Sequence, residues 1–494
     1  MSAGRIRPMN ILDAGLLAME SPSSPMHISG LQILRPPARA GKDYLAKLVA
    51  HLRSIQPSAA PFNFRLAPHE GSFGIMPAWQ EVEHADMTQH VQHHALPWPG
   101  GDDELMTLVA RLNSNLLERA RPMWEQHVIE GLAGGRFALF TRVHHALIDG
   151  EWGMRLLRKT TSASARERNL PPYWAMRFEP APPGGEPSEA EHRNWWQRKT
   201  EQGSELIRSG EQLWQAFGRV VEAFRHPSDD GLPPLYSAPE CMLNGPLTPR
   251  RAIGVAQLDL PRIAALAHAH EATVNEVLLA LCSASLRAYL KRRKALPDKP
   301  LIANMPVALA RREQDTAGNA VGSAFVSLAT HIADPLRRFE AIRGSSRHAK
   351  QLLKDLSPAA LTLFGATTGL PFILAQTLGR AEQVRAQTLL VSNVPGPREP
   401  RYVNGAAIEA QYPVSLLVPG QAMNITVVGR AGHLDVAVVA CPDLAPRPDE
   451  VAAGLAQALD ELERAYGRRR GKPRATPRET PVRGSSAART KSAR

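Results

Sequence analysis

Thiol chemistry has little to work with in this chain of 494 residues. Its three cysteines, Cys241, Cys282 and Cys441, stand far apart and fit neither a disulfide framework nor a metal-ligand spacing. No window of about 20 apolar residues occurs, which argues against a transmembrane anchor. The opening MSAGRIRPMNILDAGLL lacks the sustained apolar run and small-residue cleavage site of a secretory signal. A reducing, cytoplasmic setting is therefore expected. Acidic residues are nearly missing from one place. From Gly467 to Arg494, eight Arg and two Lys face Glu479 alone, so this stretch carries +9 of the net +12 and the rest is close to neutral. The segment has almost no apolar residues to bury, so a disordered basic tail is expected. It offers no aromatic stacking surface either, which disfavours nucleic acid and leaves a solvated end or adhesion to anionic lipid head groups.

What is present is a globular composition, 43% hydrophobic and 21% charged, in a chain long enough for two cores. Strand-like runs such as 28–34 and 137–143 alternate with helical stretches such as 103–118 across residues 1–161. The same α/β alternation returns across residues 243–466, with strand-like 325–329, 387–392 and 425–428 and a helix over 272–291. Between them, residues 162–242 contain PPYW, EPAPPGGEPSE and HPSDDGLPPLY and read as a Pro-rich crossover linker. One helix is expected inside it, over 189–224, with Ile207, Trp214, Phe217, Val221 and Phe224 forming an apolar stripe. Such a stripe suits core packing first and a lipid surface second. Residues 467–494 form the tail. Two related α/β layers meeting at a cleft are the expected architecture.

The chemistry concentrates in His144-His145-Ala146-Leu147-Ile148-Asp149-Gly150, at the end of the run 137–143. Gly150 permits a sharp turn out of the strand. Adjacent histidines on a strand point to opposite sides, which disfavours a shared metal and leaves one imidazole to face a reacting group. An imidazole near its ordinary pKa of about 6.5 suits removal of a proton from an alcohol or thiol. By spacing alone Asp149 either orients that imidazole or pairs with an arginine to fix the loop.

The H-H-x-x-x-D-G string resembles the active-site motif of the coenzyme A-dependent acyltransferase superfamily, which includes chloramphenicol acetyltransferase-like enzymes and peptide-synthetase condensation domains. Further segments resemble, in order, the bacterial wax ester synthase/diacylglycerol acyltransferase family. They are Leu12-Asp13-Ala14, Ser24-Pro25-Met26-His27, Arg121-Pro122-Met123-Trp124, Leu243-Asn244-Gly245-Pro246, Thr273-Val274-Asn275-Glu276, Met305-Pro306-Val307, Gly318-Asn319 and Ser392-Asn393-Val394-Pro395-Gly396-Pro397. The resemblance spans about residues 9–465.

It implies two chloramphenicol acetyltransferase-like subdomains around a central cleft or tunnel, with acyl-CoA entering one side and a lipid alcohol the other. It casts His145 as the general base, with His144, Asp149 and Gly150 completing the motif and Asp149 turned away to pair with an arginine. Trp124, Asn275 and Trp152 are expected against substrate, though Asn275 serves equally well as a helix-capping residue. No cofactor or metal is expected, acyl-CoA being a co-substrate, and the partners are diacylglycerol or a long-chain alcohol and a membrane or lipid-droplet surface. The chain departs from the family at Met123, where Leu is usual, at Glu276, where Asp is usual, and at Glu151-Trp152, where small residues are common. At Ala310 an arginine is often found, and here Arg311 and Arg312 stand beside it. Two rival readings keep part of this picture: a condensation-type enzyme using a carrier-bound donor, and an idle lipid-binding or droplet-coating protein.

Overall fold

The computed structural model describes residues 5–68, 77–148, 150–176, 212, 214–219, 222, 225–226, 228–308, 321–377, 380 and 383–470. Among these residues, one six-stranded sheet runs in the order β12 (Tyr402–Val403), β13 (Ala406–Val414), β2 (His27–Arg35), β7 (Arg136–His144), β6 (Trp124–Leu132), β5 (Val91–Ala95). A second runs β10 (Val321–Ser327), β9 (Ile302–Ala308), β11 (Leu389–Val394), β14 (Met423–Arg430), β15 (His433–Ala440), β8 (Ala252–Asp259). A small sheet joins β1 (Ile6–Pro8), β4 (Ala78–Glu81) and β3 (Phe64–Leu66). Pairing is antiparallel except between β5 and β6 and on both sides of β11. The helices are α1 (Ile11–Met19), α2 (Tyr44–Arg53), α3 (Met87–His90), α4 (Asp102–Asn113), α5 (Gly150–Thr160), α6 (Leu260–Ala269), α7 (Val274–Arg292), α8 (Pro335–Lys354), α9 (Pro358–Thr377) and α10 (Pro448–Arg470).

The strands expected at 28–34, 137–143, 387–392 and 425–428 fall within β2, β7, β11 and β14, allowing for their ends. Burial is continuous over residues 423–428 of β14 and 434–440 of β15, polar Asn424, Thr426 and Asp435 included, because both faces are covered. Helix α10 lies on one side and β13 on the other. Helix α10 buries Val451, Leu455, Leu459, Leu462 and Tyr466, spaced at three and four residues, against this second layer.

Strand β7 divides its side chains between two cores. Phe137, Leu139 and Val143 pack with Leu34, Trp124 and Val128 inside the first layer. Ala138 and Phe140 belong to the larger core that includes Leu31, Ile33, Val436 and Val438 and so runs across the seam between the layers. By strand alternation Arg142 and His144 share the seam side with Phe140.

The layers are not cut from consecutive halves of the chain, as the division into 1–161, 162–242 and 243–466 supposes. Strand β13 pairs with β2 from Ala407↔Arg35 to Val414↔Ser29, so the C-terminal half completes the first sheet. The start of the expected linker also belongs to the first core: Trp174 is fully buried and stacks on Trp124 at 4.9 Å, and its Nε1 donates to Ile55 O at 2.9 Å. Aromatic burial outweighs the Pro-rich punctuation there. The seam is tied by the buried Asp435 carboxylate, which accepts from Gln411 N of β13 at 2.8 Å, Gln257 Nε2 at 3.0 Å and Arg430 Nε at 2.7 Å. Of the expected helix over 189–224, residues 214–219 are helical. There Phe217 packs on Phe364 with ring centres 5.6 Å apart, while Ile207, Val221 and Phe224 lie outside the described residues. Helix α10 continues through Arg470, and 471–494 lies outside the described residues.

Candidate active site

The histidine string begins where β7 ends. His144 is its last residue, faces His27 of β2 in the sheet register, and is fully buried. Its Nδ1 accepts the N–H of Ala146 at 3.1 Å, so the proton of a neutral ring sits on Nε2. That nitrogen lies 3.3 Å from Glu20 Oε1. With both nitrogens engaged and no access to solvent, His144 holds the turn.

Glu20 follows α1 in extended conformation and turns its carboxylate inward, leaving 1% of the side chain exposed. Oε1 accepts from Met26 N at 3.2 Å, and Oε2 accepts from Arg119 Nη2 at 2.9 Å. Burial pushes its pKa up, but the hydrogen bonds from His144, the Arg119 guanidinium and the Met26 N–H together outweigh that and hold it at about 2. Asp13 goes the other way. Burial lifts it to about 6 against the opposing pull of its hydrogen bond to Asn10.

His145 occupies the first position of the turn and is only half-buried. Its N–H donates to Met26 O at 2.8 Å, which fixes the backbone of the turn. Ala146 and Ile148, one on each side of Leu147, are buried and pin the rest of the turn. His27 is buried as well. Burial lowers its pKa to about 3, helped by the nearby Arg142 charge and resisted by the hydrogen bond to Asn113, so this ring is neutral and structural.

A second group assembles on the other layer. Thr273 and Glu276 form a reciprocal capping box at the start of α7, with Thr273 N donating to Glu276 Oε2 at 2.8 Å. The cap is thus supplied without Asn275, and Glu in place of the usual Asp serves it. Asn275 reaches sideways instead: Nδ2 meets Met305 Sδ at 3.5 Å and Oδ1 accepts from Asn393 Nδ2 at 3.5 Å. Three matched segments, 273–276, 305–307 and 392–397, therefore converge on one place. Gly396 is required there, because a Cβ would sit 1.7 Å from Gly429 O. Helix α5, which leaves the histidine turn, packs on β11, the strand that carries Asn393.

Trp124 does not touch an open site. Its indole is fully buried, donates from Nε1 to Phe62 O at 2.8 Å and lies between His90 and Trp174. A ring with no exposed surface lines no cleft, so its place is in the core. Gly150 opens α5, which also carries Trp152, whose side chain is outside the described residues. Asp149, Ala310, Arg311, Arg312, Gly318 and Asn319 also lie outside them. Sequence reasoning missed Glu20 and Arg119. The available signal was a lone acid standing between two matched segments, 12–14 and 24–27. An open cleft of about 430 Å³ between residues 236–240, 297–299 and Arg385 contains no histidine and none of the matched segments, so it is not the site.

Residues 9–278 match the wax ester synthase/diacylglycerol acyltransferase catalytic domain, and residues 317–463 match the WS/DGAT C-terminal domain. The chain is 34% identical over 465 residues to an O-acyltransferase WSD of Acinetobacter baylyi, covering 93% of this chain and 97% of that one. It is 35% identical over 467 residues to a probable diacylglycerol O-acyltransferase of Mycobacterium tuberculosis, covering 92% and 98%. Among solved structures it resembles a wax ester synthase/diacylglycerol acyltransferase of Marinobacter aquaeolei, with a TM-score of 0.71 and 32% identity over 93% of this chain and 99% of that one. The first condensation domain of the CDA synthetase shares the fold, with a TM-score of 0.54 at 16% identity over 93% of this chain and 98% of that one.

Proposed function

The chain belongs to the wax ester synthase/diacylglycerol acyltransferase family, and on that premise we propose that it transfers a long-chain fatty acyl group from acyl-CoA to diacylglycerol, a long-chain alcohol, or both. The products are triacylglycerol and wax ester. His145 is the general base. It takes the hydroxyl proton as the alcohol oxygen attacks the thioester carbonyl carbon, the new C–O bond forms, the C–S bond breaks, and the imidazolium returns the proton to the leaving thiolate. Acyl group, proton and electrons balance within the two substrates, so the reaction needs no redox cofactor.

The observation that carries this reading is the division of labour between the two histidines. His144 is fully buried, with Nδ1 accepting from Ala146 N–H and Nε2 beside Glu20, whereas His145 is held by its backbone N–H and stays only half-buried. Asn275 is the side-chain donor we assign to the oxyanion, since its Nδ2 now faces a thioether sulfur, a weak acceptor that a developing negative charge readily replaces. Trp152 stands where the family carries small residues and shapes the acyl or alcohol channel. Because donor and acceptor are lipids, the enzyme works while peripherally associated with the inner face of the plasma membrane or with lipid inclusions.

The test is release of free thiol from palmitoyl-CoA, run in parallel with diacylglycerol and hexadecanol. His145→Ala should lower turnover by about 10²-fold or more while circular dichroism and the unfolding midpoint stay near wild type. Undiminished turnover in that variant removes His145 from the mechanism, and no turnover with either acceptor in wild type removes the substrate assignment.

A further inference from the structure

Helix α9 stands apart from the other long helices in having no charged residue anywhere in its 20 positions, PAALTLFGATTGLPFILAQT. One face is spoken for: Ala360, Leu361 and Phe364 are part of the large core. Leu363, Thr367, Leu370 and Leu374 follow at steps of four, three and four and form a stripe on another face. This stripe is open. Leu363, Leu370 and Leu374 are 48%, 50% and 53% exposed, which is unusual for three leucines on one helix face of a folded protein.

Two further features separate this stripe from an ordinary solvated helix. Thr367 Oγ1 donates to Leu363 O at 2.8 Å and Thr368 Oγ1 donates to Phe364 O at 2.7 Å, so both hydroxyls are satisfied inside the helix and ask nothing of water. Docked on α9 through the Phe217–Phe364 contact is the helical stretch 214–219, whose Trp214 is 82% exposed. An indole with an apolar body and one N–H suits a boundary between water and lipid. Cations bracket the helix. Lys354 precedes it, Arg380 follows it, both exposed, and the nearby acid Asp355 is already held by Arg219 at 2.5 Å and Gln351 at 2.6 Å.

Resting on the reading that acceptor and product are water-insoluble lipids, we infer that the Leu363–Leu370–Leu374 face of α9, together with the exposed Trp214 of the stretch docked on this helix, is the surface by which the enzyme lies on a lipid phase. Among the described residues no helix is long and apolar enough to cross a membrane, so α9 lies along the interface with its leucines in the acyl boundary and Lys354 and Arg380 at the head groups. The apolar stripe supplies attraction that salt does not screen, whereas attraction between cations and anionic head groups is screened by it.

The experiment uses the full chain and phosphatidylcholine vesicles with and without phosphatidylglycerol, measured by flotation at low and high salt. A triple variant, Leu363→Glu, Leu370→Glu and Leu374→Glu, should lose about tenfold or more of its vesicle partitioning, most clearly at high salt, while Leu→Met at the same positions retains it. Thiol release from a short, soluble acyl-CoA to a water-soluble alcohol should be unchanged in both variants. Vesicle binding by the Glu variant equal to wild type overturns the inference, as does a wild-type dimer on gel filtration that the Glu variant abolishes without loss of vesicle binding. Absence of thiol release from wild type defeats the proposed reaction and leaves the flotation result standing on its own.

Discussion

Glu20→Gln is the most informative single change, because it keeps the shape of the side chain while removing the charge that clamps His144. The carboxylate titrates at about 2 in the folded protein and at 4.5 when free. A group whose folded pKa is depressed adds stability that is complete above the unfolded value and disappears as pH falls towards the folded one. The shift corresponds to about 3 kcal/mol at neutral pH, shrinking to about 1 kcal/mol at pH 3. With 1% of the side chain exposed, solvent screening takes little of this away. The assay is urea unfolding of wild type and Glu20→Gln at pH 7 and at several values between 4.5 and 3. The gap should open as pH rises through that window and stay flat above it. The same variant frees His144 Nε2, loosens the turn that carries His145, and should cut kcat by about tenfold with a smaller effect on KM. Equal stability of the two proteins at pH 7, or a gap that does not change between pH 3 and 4.5, refutes the account of the clamp.

Three other outcomes follow from the same structure. His144→Ala opens a fully buried site and should lower stability by about 2–4 kcal/mol in chemical denaturation, unlike His145→Ala, which leaves the unfolding midpoint nearly in place. Gly396→Ala forces backbone apart at Gly429 O and should cost about 1–3 kcal/mol together with most of the activity, read from a thermal melt and the thiol assay. Asp435→Asn strips the charge from a carboxylate that ties Arg430, Gln257 and the β13 backbone. A loss of about 3 kcal/mol in urea unfolding is expected, and a change under 1 kcal/mol would show that the seam is held by apolar packing alone.

Much of the site was legible because its signals are local. A short apolar run leading into two histidines and, five residues on, a glycine specifies a strand, its end and a turn without reference to anything distant. The converging segments 273–276, 305–307 and 392–397 were recognisable by resemblance, but their meeting at Asn275, Met305 and Asn393 belongs to the tertiary fold. The Glu20–His144 contact joins positions more than a hundred residues apart, and a glutamate just after a helix reads locally as a solvated end. Trp124 was misplaced for a related reason. Its partner Trp174 lies in a proline-rich stretch that composition assigns to linker, so nothing nearby announced the stack that encloses it. The exchange of β12 and β13 into the first sheet leaves no mark at all in periodicity, because a strand reads the same whichever sheet receives it.

That exchange has a consequence for how the protein is born. During synthesis the N-terminal 161 residues leave the ribosome with β2 already able to pair with β7, yet its other edge has no neighbour until β13 emerges after more than two hundred further residues. For that interval the nascent chain presents an open strand edge rich in Ile and Leu, a template for pairing with other chains. Folding of the first layer must therefore wait for the second, and a fragment ending before Ala406 should be aggregation-prone however well its own sequence is suited to form a sheet.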